Sequence, residues 1–525
     1  MPTVAKTEKT VKHLMDKFYL TTPIYYVNDV PHIGHAYTTI VADALARYFR
    51  MRKADVCFIT GTDENSQKNV DAALKAGETN IQAYVDRMSA VWQETFDELG
   101  ITNTDFIRTT EERHKIGVKK FWNRVWEAGD IYLGTYQGWY CVGCEAFKTE
   151  TELIEGNCPL HKKPPQKIEE KNYFFRLTKY RDALLAHIDT HPDFVQPESR
   201  RNEIRSYIAN FMEDISISRQ GMEWGIPVPE MSNVNGQMSN VGHQAIYVWF
   251  DALINYLTAV GYGTDDKKFD RYWPADVHLV GKDIIKFHCA VWPAMLMAAG
   301  IPLPRKVFAH GFFTVEGTKM SKSLGNVVDP RKIAQEYDLD TLRYYLMRDI
   351  PFGEDGDFSM TRLQSRYDSE LANELGNLVH RVLSMTEKYF DGVVPAKTDG
   401  HLNAWTLYDA AWEELKPHDA IAAAWTVIRE ANRFVELEAP WKLAKIDPER
   451  LGKVMYTLLE TLRHVAWMLL PILPDTSQRM FAALGIADEI QETTYEDAKK
   501  WGGLKAGTKI LKGEPLFPKK LKAES

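Results

Sequence analysis

Two short clusters in this 525-residue chain carry side chains suited to phosphate chemistry. The first, Pro31-His32-Ile33-Gly34-His35, follows an apolar run and a polar loop and opens a helical pattern. Imidazoles three residues apart lie on one helix face, the glycine leaves room between them for a bulky ligand, and a helix N-terminus favours anions. The pattern suits a phosphate gripped by two hydrogen-bond donors; a pair of capping histidines or half a metal site fits the spacing as well. The second cluster is Gly317-Thr318-Lys319-Met320-Ser321-Lys322-Ser323-Leu324-Gly325-Asn326. Two lysines in a glycine-bounded loop offer mobile positive charge that can clamp a triphosphate and follow it during reaction, although such a loop alone is usually a solvated turn. Neither G-x-x-x-x-G-K-[ST] nor G-x-G-x-x-G occurs, so His and Lys side chains would make the phosphate contacts.

A third cluster suits a metal. Cys141-Val-Gly-Cys144 is followed, after thirteen residues, by Cys158-Pro-Leu-His161. Each half is a tight turn presenting two ligands, and together they complete a closed, tetrahedral, structural zinc site with no position left for a catalytic water; four unliganded side chains are the alternative. Five cysteines in all are too few for a disulfide framework.

The elements that must position these groups follow from periodicity. KFYLTTPI from Lys17 reads as a strand, HIGHAYTTIVADALARYFRMRK as a long helix, and DVCFITGTDE as a second buried strand, the start of a doubly wound parallel sheet. Ligands in such sheets sit beyond the carboxyl ends of the strands. DVHLVGKD, IIKFHCAVWPAMLMAAG and KVFAHGFF form a later strand, helix and strand. Between the halves lies an insert holding the cysteine cluster. Beyond Ser359 helical patterns take over, at 362–390, 403–415, 420–438 and 449–469, with Pro417, Pro440 and Pro448 in the short connecting loops of an antiparallel bundle.

Composition narrows the class. Forty-five per cent hydrophobic residues describe a globular chain of about three domains. The longest apolar stretches are short of the ~20 residues that span a bilayer, and the mixed-charge N-terminus lacks a signal core, so a cytoplasmic location is expected. A net charge of −8 argues at first against a nucleic-acid partner, but Lys499–Ser525 carries eight lysines against two glutamates. The charge is an average over unlike parts, and any nucleic acid is met by local basic and aromatic features.

The histidine motif early and K-M-S-K-S late, on two halves of a split nucleotide fold, are similar to the signature pair of class I aminoacyl-tRNA synthetases. TTPIYYVND, FITGTDE, YVWFDALINY, GKDIIKFH and AHGFFTVEGTKMSKS resemble the methionyl members of that class. The resemblance implies a Rossmann-like catalytic domain (1–133 and 243–330) split by a zinc-knuckle insert (134–242), a stem-contact segment (331–361) and an all-α anticodon-binding bundle with a basic tail (362–525).

It also implies roles for individual residues. His32 and His35 would bind the ATP phosphates, Lys319 and Lys322 would neutralise the leaving pyrophosphate, and Gly281 and Asp283 would approach the ribose. Asp63 would hold the ammonium of L-methionine, with Ile24, Tyr26, Trp249, Ala252, Leu253, Tyr256, Ile284 and His288 around its side chain; Leu253 stands where some members carry proline. Asn377 and Arg381, on a polar stripe beside the apolar face of Leu371, Leu375, Leu378 and Val382, would read the tRNA(Met) anticodon with Trp441. Mg2+ would accompany ATP, one Zn2+ would sit in the insert, and a monomer is expected because the dimerising domain of longer relatives does not follow. Rival expectations are a related synthetase for another apolar amino acid, a tRNA-free nucleotidyltransferase, and a non-catalytic RNA-binding protein.

Overall fold

The computed structural model describes residues 16–143, 146–148, 150–229, 243–320 and 325–518. Cys144, Lys322, the side chain of Lys319 and the last part of the basic tail lie outside the described residues.

Strand Lys17–Tyr26 feeds helix Ile33–Met51, and strand Asp55–Asp63 returns parallel to it with Tyr26 opposite Asp63. Both strands are largely buried, which is why they read as continuous apolar runs rather than alternating ones. Six strands make one parallel sheet, in the spatial order Asp105–Arg108, Asp55–Asp63, Lys17–Tyr26, Val277–Gly281, Val307–His310, Val195–Gln196. The chain builds outward from Lys17–Tyr26 to one side early and to the other side late. The order therefore reverses between Lys17–Tyr26 and Val277–Gly281, and a crevice opens beyond their carboxyl ends.

From Ile131 the chain builds a second, antiparallel sheet from Ile131–Cys141, Ala146–Lys148, Gln166–Phe175 and Ile215–Ser216. The same part of the chain also lends Val195–Gln196 to the edge of the main sheet.

From Met360 the chain is helical: Met360–Arg366, a π-helical stretch Tyr367–Gly376, and Asn377–Phe390 run end to end. Leu371, Leu375, Leu378 and Val382 are buried, as the 3.6-residue period requires. Helices Ala404–Glu413, Pro417–Glu438, Pro440–Ile446, Pro448–Leu469 and Pro474–Ala483 follow. Pro417, Pro440 and Pro448 are thus not in the connecting loops, where the sequence reading puts them. Each is the first residue of a helix, where a missing N–H is no loss and a fixed φ is already helical. Pro474 opens a further helix by the same logic.

An ion pair with both side chains fully buried, Asp43 to Arg343 at 2.8 Å, ties helix Ile33–Met51 to the helical region, where Arg343 also donates to the carbonyls of Pro471 and Ile472. Among the described residues no helix is long and apolar enough to cross a membrane.

Candidate active site

The crevice at the switch point gathers the sequence-flagged residues from five elements. Pro23, which has no N–H to donate, sits in a register shift of strand Lys17–Tyr26 between Thr21 and Ile24. That irregularity lies beside a cavity of about 320 Å³, part of it open to solvent. Ile24 and Tyr26 line it from the first strand and Asp63 from the end of the second. Trp249, Ala252, Leu253 and Tyr256 come from the short helices Val248–Leu253 and Asn255–Thr258, and Ile284 and His288 from the turn after Val277–Gly281.

The walls are rigid. Trp249 stacks on Phe287 at 3.9 Å between centroids. His288 lies in a π-helical turn, Phe287–Val291, and its Nδ1–H donates to the Ile284 carbonyl at 3.0 Å. Its Nε2 is therefore an acceptor, and the Tyr256 hydroxyl donates to it at 2.8 Å. Burial lowers the His288 pKa to about 4, so the ring stays neutral. Asp63 is almost fully buried, and its main-chain carbonyl accepts from Asn69 Nδ2 at 2.9 Å. A Cβ at Gly281 would stand 2.6 Å from Asp283 Oδ1, so a larger residue there would push the Asp283 carboxylate aside.

Sequence reasoning missed Pro23 and Asn255, which line the same cavity. It also missed a buried chain behind the wall. His114 Nε2 meets Asp251 Oδ1 at 2.8 Å, and Asn65 Nδ2 donates to Asp251 Oδ2 at 2.8 Å. This chain fixes the helix carrying Trp249 and Ala252 against the loop after Asp63. Aspartate among WF and AL was the only local signal.

The histidine motif lies at the N-terminus of helix Ile33–Met51. His32 is the N-cap: Gly34 N donates to His32 Nδ1 at 3.1 Å, and His32 N donates to His35 Nδ1 at 3.3 Å. The capping alternative is thus physically present, and it also sets the tautomers. With both Nδ1 atoms accepting, both protons sit on Nε2. Burial lowers the pKa of His32, and burial followed by the neighbouring His32 takes His35 well below its ordinary value. The two rings stack at 3.7 Å, so Gly34 does not open space between them as its smallness suggests from sequence. It admits the folded-back His32 ring, whose Cε1 would lie 3.1 Å from an added Cβ, and the Met320 methyl, at 3.4 Å.

Met320 belongs to the lysine cluster, so the described start of that cluster lies against the histidine motif. The loop leaves hairpin Phe313–Val315 and Thr318–Lys319, and beyond it Val328 O accepts from Ile33 N at 3.0 Å.

In the insert, Cys141 Sγ and Cys158 Sγ each lie 3.8 Å from His161 Nδ1. Ligands about 2.3 Å (S) and 2.0–2.1 Å (N) from a common tetrahedral centre have separations of this size, so the three fit a zinc ion. Gly143 leaves the cradle open for the ring, since a Cβ there would stand 2.5 Å from His161 Cγ. On the bundle, Asn377 is exposed, the Arg381 guanidinium carbon lies 5.9 Å from the Trp441 ring centroid, and Arg381 pairs with Glu436 at 2.7 Å.

Comparison with known proteins agrees with this geometry. The family model for class I tRNA synthetases (M) matches residues 18–167 and 149–383, and that for the anticodon-binding domain of methionyl tRNA ligase matches 395–525. The methionine–tRNA ligase of Thermotoga maritima is 47% identical over 96% of this chain and 80% of its own length. That of Streptomyces coelicolor is 44% identical over 97% of this chain and 98% of its own length. The solved structure of Mycobacterium tuberculosis methionyl-tRNA synthetase in complex with methionyl-adenylate superposes with a TM-score of 0.90 at 40% identity, covering 96% of this chain and all of the other. A family model over more than half of the chain, a second over its helical region, and relatives 44–47% identical over nearly all of it place this chain in the methionyl family of class I aminoacyl-tRNA synthetases.

Proposed function

We propose that this protein is a methionine–tRNA ligase that activates L-methionine with ATP and passes the aminoacyl group to tRNA(Met), with the crevice residues in the following roles. The observation that carries the reading is the convergence, beyond the carboxyl ends of two neighbouring parallel strands, of a buried carboxylate, an apolar and aromatic cavity and two imidazoles at a helix N-terminus.

Asp63 pairs with the methionine ammonium. Ile24, Tyr26, Trp249, Ala252, Leu253, Tyr256, Ile284 and His288 surround the thioether side chain, where a polarizable, nearly apolar group needs aromatic walls and few polar contacts. The substrate carboxylate attacks the ATP α-phosphorus, the bond to the bridging oxygen of the β-phosphate breaks, and that electron pair leaves with pyrophosphate. His32 and His35, both neutral Nε2–H donors, stabilise the crowded α-phosphoryl oxygens as charge gathers there. Lys319 and Lys322 take up the charge of the leaving pyrophosphate, Gly281 and Asp283 hold the ribose, and Mg2+ arrives with ATP. A hydroxyl of the terminal tRNA adenosine then attacks the adenylate carbonyl and releases AMP.

Asn377, Arg381 and Trp441 read the anticodon, by hydrogen bonds to base edges and stacking. Cys141, Cys158 and His161, with Cys144, hold one structural Zn2+ that keeps the insert folded. The deciding experiment is methionine-dependent pyrophosphate exchange. Exchange driven by leucine or cysteine and not by methionine overturns the assignment, and exchange without aminoacylation of tRNA(Met) leaves only the first half-reaction.

A further inference from the structure

The lysine loop springs from an unusual turn. Hairpin Phe313–Val315 and Thr318–Lys319 is closed by two residues, Glu316 and Gly317, both with positive φ, +47° and +74°. That is the type I′ geometry, which favours Asn, Asp or Gly at its first position and penalises a longer side chain such as Glu. A non-glycine residue persists there only where its surroundings hold it.

What holds it is the next part of the chain. Glu316 Oε1 accepts from the backbone N–H of Met360 at 3.1 Å, and Glu316 N donates to Phe358 O at 3.0 Å. Met360 opens helix Met360–Arg366, whose own N-cap residue, Ser359, makes no side-chain capping bond. A glutamate from the lysine hairpin therefore caps the first helix of the helical region, where its charge also suits the helix dipole. Asp357 clamps the other side of the turn. Its Oδ1 accepts from Thr314 Oγ1 at 2.6 Å and from Gly317 N at 2.7 Å, and its Oδ2 pairs with Arg362 at 3.3 Å. Strand Gly356–Phe358, which carries Asp357, runs parallel to and bonded with Phe313–Val315.

We infer that Glu316 and Asp357 are positioning residues for adenylate formation: they lock the root of the lysine loop to the N-terminus of the helix run that continues into Asn377–Phe390, and so set where Lys319 and Lys322 stand when pyrophosphate leaves. Neither residue needs to touch substrate. The inference rests on the proposed role of the two lysines and adds a mechanical one. The described chain on either side of the lysines is thus held, before them by these bonds and after them by the bond from Ile33 N to Val328 O.

The test compares Glu316→Gln, Glu316→Gly, Asp357→Ala and Lys322→Ala in methionine-dependent pyrophosphate exchange, with equilibrium methionine binding and thermal melting measured on each. Glu316→Gln keeps an acceptor for Met360 N and should stay within about twofold of the parent, because the amide oxygen replaces the carboxylate oxygen. Glu316→Gly relieves the backbone yet removes the cap. It should melt at or near the parent temperature while kcat falls about ten- to a hundredfold with methionine affinity unchanged, as expected for misplaced catalytic groups. Asp357→Ala should show the same split.

Parent-level kcat in both Glu316→Gly and Asp357→Ala while Lys322→Ala collapses overturns the positioning role and leaves the lysine reading intact. An unaffected Lys322→Ala overturns the lysine reading and the joint with it. Parallel losses of kcat, methionine affinity and melting temperature, or a Glu316→Gln as damaged as Glu316→Gly, also overturn the inference.

Discussion

The imidazole rings of His32 and His35 stack at 3.7 Å with 21° between their planes, and each turns its Nδ1 toward a backbone N–H of the same helix start. The helix that supplies anion-binding character thus also dictates which nitrogen of each ring carries the proton. What remains for a phosphate is a pair of neutral Nε2–H donors fixed before substrate arrives, and pre-set donors lose no reorganisation energy at the moment of reaction.

The first prediction concerns that donor. His35→Gln can return an N–H near the Nε2 position and should retain part of the exchange activity, whereas His35→Ala should lose about 10²–10³ in kcat with methionine binding little changed. Because burial holds both rings below the ordinary histidine pKa of 6.5, the neutral forms predominate at pH 6.5, and the midpoint of any loss of activity through their protonation should lie on the acid side of that value. A basic limb in the parent, with activity falling as pH rises, that is absent from His35→Gln would show that the protonated ring is the active form.

A second prediction separates amino-acid binding from chemistry. Asp63 is the carboxylate on the wall of the cavity, so Asp63→Asn replaces a charged partner of the ammonium by a neutral one. Hydrogen bonds to charged groups contribute about 1.5–3 kcal/mol, which corresponds to a weakening of methionine binding by about ten- to a hundredfold. Isothermal titration with methionine in the absence of ATP reads this directly, and unchanged affinity removes Asp63 from the role.

How much of this was legible in the sequence depended on the range of each interaction. His32, His35, Asp63 and Gly281 sit at element ends, where one strand or one helix start fixes their place, so their positions were readable from residue type and local order. The role of Gly34 was misread because smallness does not reveal which neighbour uses the space; here the His32 ring does. Pro417, Pro440 and Pro448 read as loop residues because proline breaks a helix interior, whereas each stands at N1, where no intrahelical donor is needed. His114, Asp251 and Asn65 stayed hidden since their partnership joins residues more than a hundred positions apart, and nothing in a single sequence pairs them. Glu316 was hidden because its partner, Met360, lies 44 positions away on another element.

A third prediction concerns the insert. Metal analysis of the native protein should find one zinc per chain, and Cys158→Ser should lower both the zinc content and the protection of strand Ile131–Cys141 from hydrogen exchange. Methionine-dependent exchange should survive better than transfer to tRNA, since the cluster of Cys141, Cys158 and His161 includes none of the residues that line the cavity. Native protein free of zinc, or a Cys158→Ser variant that retains it, removes the site.

The fourth prediction concerns the C-terminal segment, where one buried carboxylate gathers three successive backbone N–H groups. Glu460 accepts from Gly502 N at 2.6 Å, Gly503 N at 2.9 Å and Leu504 N at 2.9 Å, and its two oxygens also meet Arg463 at 2.7 and 3.0 Å. Burial by itself pushes its carboxyl up, but hydrogen bonds from His464 and Arg463 outweigh burial and bring the pKa down from 4.5 to about 2. A depressed folded-state pKa means that folding favours the carboxylate form, so the stabilisation is fully present above pH 4.5 and fades as pH falls toward 2. A shift of this size corresponds to about 3 kcal/mol. Glu460→Gln should therefore be less stable than the parent at pH 7 by an amount of that order, and the gap should shrink steadily below pH 4.5. Amide exchange at Gly502, Gly503 and Leu504 reports the same linkage locally: in the parent their protection should weaken as pH drops through that window beyond the intrinsic pH dependence of exchange, and in the Gln variant it should be low throughout. A gap that stays constant from pH 7 to pH 2 would mean that the segment is held by packing alone, with the charge on Glu460 contributing nothing.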